Sequence, residues 1–316
     1  MTSAAFLAEF LSAGRWRPLS VITPEVSVGS LPVSAAGRSV PTDLYLRPRF
    51  VRAPGLVLVH GLSPRGKDDP RLSEAASLLA RAGWAVAVPT VEGLTILRLR
   101  PDDAEAVGAA TRTLAQAGHA PVAILGVSLG ASPALLAAAD PGVSPSVSAV
   151  LAFGGYASAV ELLRYTLTGA YRFDDVAGRR PVNEAAIAQF AHANRELLDA
   201  AGQRLVDNRE PGHVDRLVTE LRRDTRRLLA ELSPETHIGR IRAPLFLIHG
   251  RDDPAVPFTE TLRLERAARA AGGRVRAILV GSVGHVEPEA RAGLRDLVRL
   301  WASVYAFEVT AWAHPR

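Results

Sequence analysis

Short, entirely apolar segments alternate with amphipathic segments along most of the chain. Runs such as 56–59 and 85–88 have the length of buried strands, and between them apolar residues recur every three to four positions, as in helices. Strands that lack a polar face and are separated by helices are typical of a parallel sheet covered on both faces. The pattern therefore predicts an α/β fold with a mostly parallel, doubly wound sheet.

The predicted elements begin with a hairpin, whose strands cover residues 25–32 and 39–46 with a turn at Ala36-Gly37. The sheet strands that follow are predicted at 56–59, 85–89, 122–125, 148–153, 244–248 and 275–280. The helices are predicted at 72–82, 102–117, 129–139, 259–271 and 288–305. The residues predicted on one face of the last helix are Ala290, Leu294, Leu297, Val298 and Trp301.

Between residues 155 and 242 the pattern changes to amphipathic helices, and no strand is predicted there. The clearest helical face consists of Val214, Leu217, Val218, Leu221, Leu228, Leu229 and Leu232. We interpret residues 156–242 as a helical lid inserted into one domain at 21–316. Residues 1–20 are predicted as an N-terminal helical segment. Its apolar face, which predicts docking onto the body, consists of Phe6, Leu7, Phe10 and Leu11.

The amino-acid composition excludes several kinds of site and argues against several kinds of partner. The formal charge of +5 comes almost entirely from arginines scattered among alanines, since Lys67 is the only lysine, and this predicts no nucleic-acid partner. The chain has no cysteine, which excludes disulfides, thiolate metal sites and cysteine nucleophiles. No histidine or carboxylate cluster has metal-ligand spacing. The apolar N-terminal patch lacks a preceding basic residue and contains Glu9, which predicts a cytoplasmic protein without stable membrane insertion.

Residues 121–134 combine an apolar strand, a tight turn and the start of a helix. Gly126 and Gly130 flank Ser128 at two-residue spacing, which lets the strand and the helix approach closely while the serine takes a strained backbone conformation. Such a turn presents the serine to a substrate, so Ser128 is a candidate nucleophile. The alternative is a serine that caps the helix, but a cap does not require glycine on both sides.

Two further loops that follow predicted strands carry acid–base residues. Asp252 and Asp253 follow the strand at 244–248, and His285 follows the strand at 275–280. The carboxyl ends of parallel strands meet at one edge of a sheet. A serine nucleophile needs a base, and the base needs an anionic partner that fixes its tautomer. The chain order serine, aspartate, histidine is the order that this topology requires.

Four stretches together resemble the α/β-hydrolase superfamily of serine hydrolases, which includes esterases and dienelactone hydrolases. They are His60-Gly61-Leu62, the segment 126–130, the segment 250–257 and Gly284-His285. The resemblance runs from about residue 26 to the C-terminus and leaves the lid unmatched. It implies the α/β-hydrolase fold, with no cofactor.

The resemblance also implies a role for each matching residue. Ser128 is expected to be the nucleophile, His285 the general base and Asp253, rather than Asp252, the carboxylate that orients the histidine. The oxyanion hole is expected at the backbone amides of Leu129 and Leu62.

These expectations lead to a serine hydrolase that cleaves an ester, thioester or related acyl bond of a small-molecule substrate. A peptidase or acyltransferase with the same residues is an alternative, and so is a receptor-like binding protein with little catalysis. Arginines in the lid would suit an acidic substrate if they faced inward. Those at 222, 223, 226 and 227 lie opposite the leucine face, which favours a solvent-facing position.

Overall fold

Strands and helices alternate along the residues that the computed structural model describes, which are 5, 6, 8, 9, 12, 15–48, 53–281 and 294–313. The strands are β1 (Ser27–Ser30), β2 (Val33–Ala35), β3 (Arg38–Val40), β4 (Thr42–Leu46), β5 (Gly55–Val59), β6 (Ala85–Pro89), β7 (Val122–Val127), β8 (Val147–Phe153), β9 (Ala170–Phe173), β10 (Val176–Arg179), β11 (Leu245–Gly250) and β12 (Val275–Val280). The helices are α1 (Pro18–Ile22), α2 (Pro70–Ala82), α3 (Glu92–Thr95), α4 (Asp103–Leu114), α5 (Ala131–Ala139), α6 (Ala159–Thr168), α7 (Glu184–Ala193), α8 (Ala200–Asp207), α9 (Val214–Glu220), α10 (Arg223–Glu231), α11 (Thr259–Ala270) and α12 (Leu294–Trp312).

The main sheet has eight strands in the order β1-β4-β6-β5-β7-β8-β11-β12. The six strands from β6 to β12 in this order pair in parallel, while β4 pairs antiparallel with both β1 and β6. Every residue of β5 and β6 is buried, as their apolar runs predict. The predicted mostly parallel sheet is confirmed.

Helices cover both faces of this sheet. Val107 of α4, Leu135 of α5 and Leu264 of α11 belong to the apolar cluster on one face. Leu79 of α2 and Phe307 of α12 belong to the cluster on the other face. The sheet is therefore doubly wound. Since helices cover both of its faces, we expect a site at the ends of the strands, where the connecting loops lie.

The hairpin predicted at residues 25–46 is instead two antiparallel pairs, β1 with β4 and β2 with β3, and prolines separate the strands. The turn at Ala36-Gly37 is confirmed, and both residues have a positive φ. However, β2 and β3 pair only with each other, whereas β1 and β4 join the main sheet. Pro32 separates β1 from β2 and Pro41 separates β3 from β4, since proline cannot donate a ladder hydrogen bond.

The segment 156–242 is helical, but the prediction that it contains no strand was wrong. β9 and β10 form an antiparallel hairpin around Asp174, whose φ is +50°. The aromatic ring of Tyr171 in β9 packs edge-on against Tyr165 of α6 and Phe258. The helix predicted through 214–232 is two helices, α9 and α10, because Leu221 and Arg222 are extended.

The N-terminal segment docks onto the body through Phe6, which is buried in the apolar cluster beside α2 and α12. Glu9 is also buried, and its carboxylate accepts hydrogen bonds of 2.9 Å from the backbone N–H groups of Leu19 and Ser20. It thereby satisfies donors at the start of α1. The remaining positions of the predicted apolar face, Leu7, Phe10 and Leu11, lie outside the described residues.

α12 presents a different face to the core from the one predicted. Val298 is 53% exposed and Trp301 is 40% exposed, whereas Leu300, Phe307 and Ala311 are buried. Residues 288–293 of the predicted helix lie outside the described residues. Although α12 has 19 residues, neither it nor any other helix in the described part of the chain is long and apolar enough to cross a membrane.

The rotation of α12 is fixed by aromatic contacts with the body. Trp84, just before β6, stacks on Phe307 with ring centroids 5.9 Å apart and meets Trp312 edge-on at 5.5 Å. Phe246 of β11 meets Phe307 edge-on, with ring centroids 5.6 Å apart. These rings face the core because they pack on the sheet, which the spacing of apolar residues alone does not reveal.

We predict that Trp84→Ala lowers the free energy of unfolding by about 3–5 kcal/mol, because it leaves a cavity against α12. Trp84→Phe should cost less than about 1.5 kcal/mol, because phenylalanine keeps the ring contacts and removes an indole N–H that has no hydrogen-bond partner among the described residues. Urea unfolding of both variants measures the difference. Equal losses would contradict a packing role for this ring.

Candidate active site

Ser128 lies at the sharp turn between β7 and α5. β7 ends at Val127, and the single 3₁₀ turn Ser128–Gly130 leads directly into α5. Ser128 has a φ of +54°, in the left-handed region that residues with a Cβ rarely adopt. Such strain persists only where the surroundings enforce it, and it concentrates at functional sites. The predicted strand–turn–helix apex is therefore present.

The glycines around Ser128 leave no room for a side chain. A Cβ at Gly126 would lie 2.6 Å from Cα of Ala131, and a Cβ at Gly130 would overlap the carbonyl oxygen of His60. A Cβ at Gly155, after β8, would overlap Cβ of Ala131. The helix start is thus pressed against β7, the loop after β5 and the loop after β8 at once.

His60 holds the loop after β5. It is buried, its Nδ1–H donates to the carbonyl of Gly61 at 2.7 Å, and its Nε2 accepts from the backbone N–H of Val91 at 3.0 Å. Burial lowers the pKa of His60, so the imidazole stays neutral. With both ring nitrogens engaged, His60 supports the loop that leads to Leu62.

The backbone amides of Leu62 and Leu129 lie in the two loops that meet at Ser128. The Leu62 amide donates no hydrogen bond to another described residue. The Leu129 amide belongs to the first turn of a helix, where N–H groups lack a partner within the helix. Leu62, Ser128 and Leu129 all line one cavity.

The loop after β11 distinguishes the two candidate aspartates. Asp253 is 1% exposed, and its Oδ1 accepts hydrogen bonds from the N–H groups of Ala255 at 2.8 Å and Val256 at 3.0 Å. The side chain of Asp252 is 76% exposed. The buried carboxylate with a fixed orientation is therefore Asp253, and its Oδ1–amide bonds define the shape of the loop.

His249, which precedes this loop, has a supporting position like that of His60. It is fully buried, its Nδ1 accepts from the hydroxyl of Thr261 at 2.8 Å, and its Nε2–H donates to the carbonyl of Val256 at 2.9 Å. His285, the predicted general base, lies outside the described residues. Of the three predicted side chains, the structure places Ser128 and Asp253.

Ser128 opens onto a cavity of about 1050 Å³ that lies between the sheet edge and the lid. The body contributes Leu62, Val127, Leu129 and Phe153 to its wall. The lid contributes apolar side chains from four helices, among them Leu162, Leu163, Phe190, Leu205, Leu228 and Leu229. The cavity is therefore enclosed largely by apolar side chains, more than half of them supplied by the inserted segment.

Each charged side chain that lines this cavity among the described residues has an opposite charge nearby. Asp69 lies 3.2 Å from Arg71, whose hydrogen bond lowers the pKa of Asp69 to about 2. Arg100 is paired with Glu196 of the lid, and Asp252 lies 3.7 Å from Arg180.

The lid arginines that the sequence raised as candidates for binding an acidic group do not line the cavity. They are Arg164, Arg172, Arg179, Arg180, Arg195, Arg222, Arg223, Arg226 and Arg227. The most deeply buried of them, Arg164, pairs instead with Glu161 and Asp215. Within the part of the chain that the structure describes, no cluster of histidine and carboxylate side chains could hold a metal ion.

Asp103 has a positioning role that the sequence did not reveal. Its side chain is buried and accepts from the N–H groups of Gly93 at 3.0 Å and Arg100 at 2.9 Å. Burial raises the pKa of Asp103 to about 6. It fixes residues 93–100, a segment whose Leu97 and Leu99 line the cavity.

The two ends of the lid are tied to each other and to α11. The hydroxyl of Tyr156 donates to the carbonyl of Leu232 at 2.9 Å, and the N–H of Ala159 donates to the hydroxyl of Ser233 at 2.9 Å. The buried carboxylate of Glu260 accepts from the N–H groups of Ala157 and Ser158. We call this junction the lid neck.

The lid also contacts the body at two edges of the cavity. On one edge, the hydroxyl of Tyr165 donates to the carbonyl of Pro254 at 2.7 Å, and Arg180 donates to the carbonyl of Asp252 at 2.8 Å. On the other, the amide of Asn194 donates to the carbonyl of Leu97 at 2.9 Å. The first contact joins the lid to the loop that carries Asp253.

Solved structures with the same architecture include peptidases and a dienelactone hydrolase. The Pyrococcus horikoshii acylaminoacyl peptidase matches with a TM-score of 0.64 at 16% identity, over 94% of this chain and 43% of that one. A puromycin-hydrolyzing peptidase from Mycobacterium tuberculosis matches with 0.60 at 20% identity, over 92% of this chain and 40% of that one. Dienelactone hydrolase from Anabaena variabilis matches with 0.52 at 16% identity, over 90% of this chain and 97% of that one.

At these identities the matches show a shared fold. This chain spans less than half the length of the two peptidases and nearly the whole length of the dienelactone hydrolase. The model of the alpha/beta hydrolase family matches residues 56–304, which include β5 to β12, the turn at Ser128 and the lid. The chain is a member of the alpha/beta hydrolase family.

Proposed function

We propose that the protein is a serine hydrolase that cleaves an ester, thioester or related acyl bond of a small-molecule substrate through an acyl-enzyme on Ser128. The observation that carries the proposal is the strained backbone of Ser128 at the edge of a large apolar cavity. The proposed chemistry needs no cofactor.

In the proposed mechanism, the Ser128 hydroxyl oxygen attacks the carbonyl carbon while His285 takes the hydroxyl proton. Asp253 holds the imidazole of His285 in the tautomer that accepts this proton. The carbonyl oxygen becomes an oxyanion, to which the N–H groups of Leu129 and Leu62 donate. The intermediate collapses, the leaving group takes the proton from His285, and water activated by His285 then hydrolyses the acyl-enzyme.

Asp253 suits this role because its carboxylate is buried and held in one orientation, with Oδ2 lying 3.4 Å from Nε2 of His249. The Oδ1 atom is held by the amides of Ala255 and Val256, so the carboxylate cannot rotate freely. His285 enters the proposal from the sequence alone, through the order serine, aspartate, histidine along the chain.

Peptide hydrolysis is the second candidate. It is favoured by Gln189, an exposed residue that lines the cavity and whose side-chain amide can pair with peptide groups. A receptor-like protein with little catalysis is the third possibility, and labelling with a fluorophosphonate distinguishes it, because only an activated serine reacts.

We predict that Ser128→Ala lowers kcat/KM for p-nitrophenyl esters by at least about a thousandfold, because it removes the nucleophile. It should also abolish fluorophosphonate labelling. The matched control is Ser132→Ala, four residues along, whose hydroxyl accepts from Tyr156 at 3.0 Å and does not line the cavity. Ester hydrolysis by Ser128→Ala at the rate of the wild type would refute the proposal.

The adjacent aspartates provide a second test. We predict that Asp253→Asn lowers kcat by roughly 10³–10⁴-fold, because asparagine keeps an oxygen for the amides of Ala255 and Val256 but loses the charge that stabilises the imidazolium. Asp252→Asn should change kcat less than about threefold, because its side chain is exposed. Circular dichroism checks that both variants are folded. The reverse ranking would move the orienting role to Asp252.

A further inference from the structure

We infer that the cavity selects substrates in which one long apolar chain adjoins the scissile acyl bond, and that this chain enters the lid past Leu229. The inference rests on the proposed function, since it assumes that the reacting carbonyl sits at Ser128. It goes further by naming the class of substrate and the residue that sets the chain length.

The first support is the character of the lid wall. Leu162, Leu163, Leu197, Leu198, Leu228 and Leu229 are only partly buried, and all of them line the cavity. Apolar surface of this extent gains free energy when an apolar ligand displaces water from it.

The second support is the pairing of every charged group that the described wall contains. Asp69, Arg100 and Asp252 each lie against an opposite charge, so the described part of the wall offers no unpaired charge to a substrate. A charged head group that contacts this part of the wall would lose water without gaining a new ion pair, at a large cost in free energy. An uncharged apolar chain would not incur this cost.

The third support is the path that the cavity takes into the lid. Leu129 and Leu228 pack against the core cluster of the body, whereas Leu205 and Leu221 belong to a separate apolar cluster inside the lid. Leu229 packs against both clusters, and all five side chains line the one cavity. Leu229 therefore lies where the space beside Ser128 continues into the lid.

The size of the cavity agrees with an extended chain. Its volume of about 1050 Å³ is at the upper end of the roughly 300–1,000 Å³ typical of small-molecule sites. An acetyl group would leave most of the apolar wall in contact with water. Each buried methylene contributes about 0.8 kcal/mol, which is a factor of about four in kcat/KM when it is realised in full.

The first experiment measures kcat/KM for p-nitrophenyl acetate, butyrate, octanoate and decanoate, below the concentrations at which the esters form micelles. A parallel series uses alkyl acetates with alcohols of the same lengths. We expect at least about a 50-fold rise from acetate to octanoate in the acyl series. The same rise confined to the alkyl acetates would support a chain on the alcohol side of the bond.

A flat profile in both series, with measurable hydrolysis of the acetate, would overturn the inference and leave the proposed function intact. Failure of every ester, together with no fluorophosphonate labelling of Ser128, would instead refute the proposed function. The two failures are thus distinguishable.

The second experiment tests whether the apolar chain of the substrate passes Leu229 on its way into the lid. We expect Leu229→Trp to lower the ratio of octanoate to acetate kcat/KM by at least about tenfold, because the indole fills the passage into the lid. The control is Ala230→Trp, on the exposed side of the same helix and outside the cavity wall, which should keep the wild-type ratio.

Thr225→Phe provides a second variant at a partly buried position on the cavity face of α10, should Leu229→Trp fold poorly. Labelling of Ser128 verifies that each variant retains the reactive turn. Folded, labelled variants that keep the wild-type chain-length profile would overturn the assigned path.

Discussion

The close approach between the start of α5 and the loop after β5 is the constraint on which the rest of the site depends. The carbonyl of His60 occupies the place where a side chain at position 130 would lie, so the two loops are in direct backbone contact. Ser128 is forced into a left-handed conformation in one loop, and Leu62 is carried by the other. Neither loop can shift without displacing the other. The hydroxyl of Ser128 and the backbone amides of Leu62 and Leu129 therefore keep a fixed separation.

Much of this fold is predictable from the chain, because buried parallel strands are apolar throughout and few other elements share that signature. The exceptions have local physical causes. Pro32 and Pro41 interrupt strands that the alternation pattern treats as continuous. The hairpin β9–β10 is too short to show a period, and it is stabilised by contacts between Tyr171 and distant rings. Val298 and Trp301 share a helical spacing with core residues, but packing of Trp84 on Phe307 decides which face turns inward.

The candidate site likewise has some features that the sequence predicts and others that it does not. The turn at Ser128 follows from the spacing of the glycines around it, whereas the choice of Asp253 over Asp252 follows from the resemblance to a known family. Arg180 and Glu260 bond to backbone groups far away in the chain, and Asp103 bonds to amides of the preceding loop. A side-chain type does not disclose which amide or carbonyl it will meet. His285 stays a prediction from the sequence, since it lies outside the described residues.

The lid neck determines how the lid is joined to the part of the body that carries Ser128. The inserted segment leaves and rejoins the body at one place, where Tyr156 bonds to Leu232 and Ala159 bonds to Ser233. The hydroxyl of Tyr156 also bonds to Ser132 of α5, so the neck connects both ends of the lid to the helix that follows Ser128. Because the lid is anchored there and at both edges of the cavity, a movement of the lid would be transmitted to the turn at Ser128 rather than absorbed within the insertion.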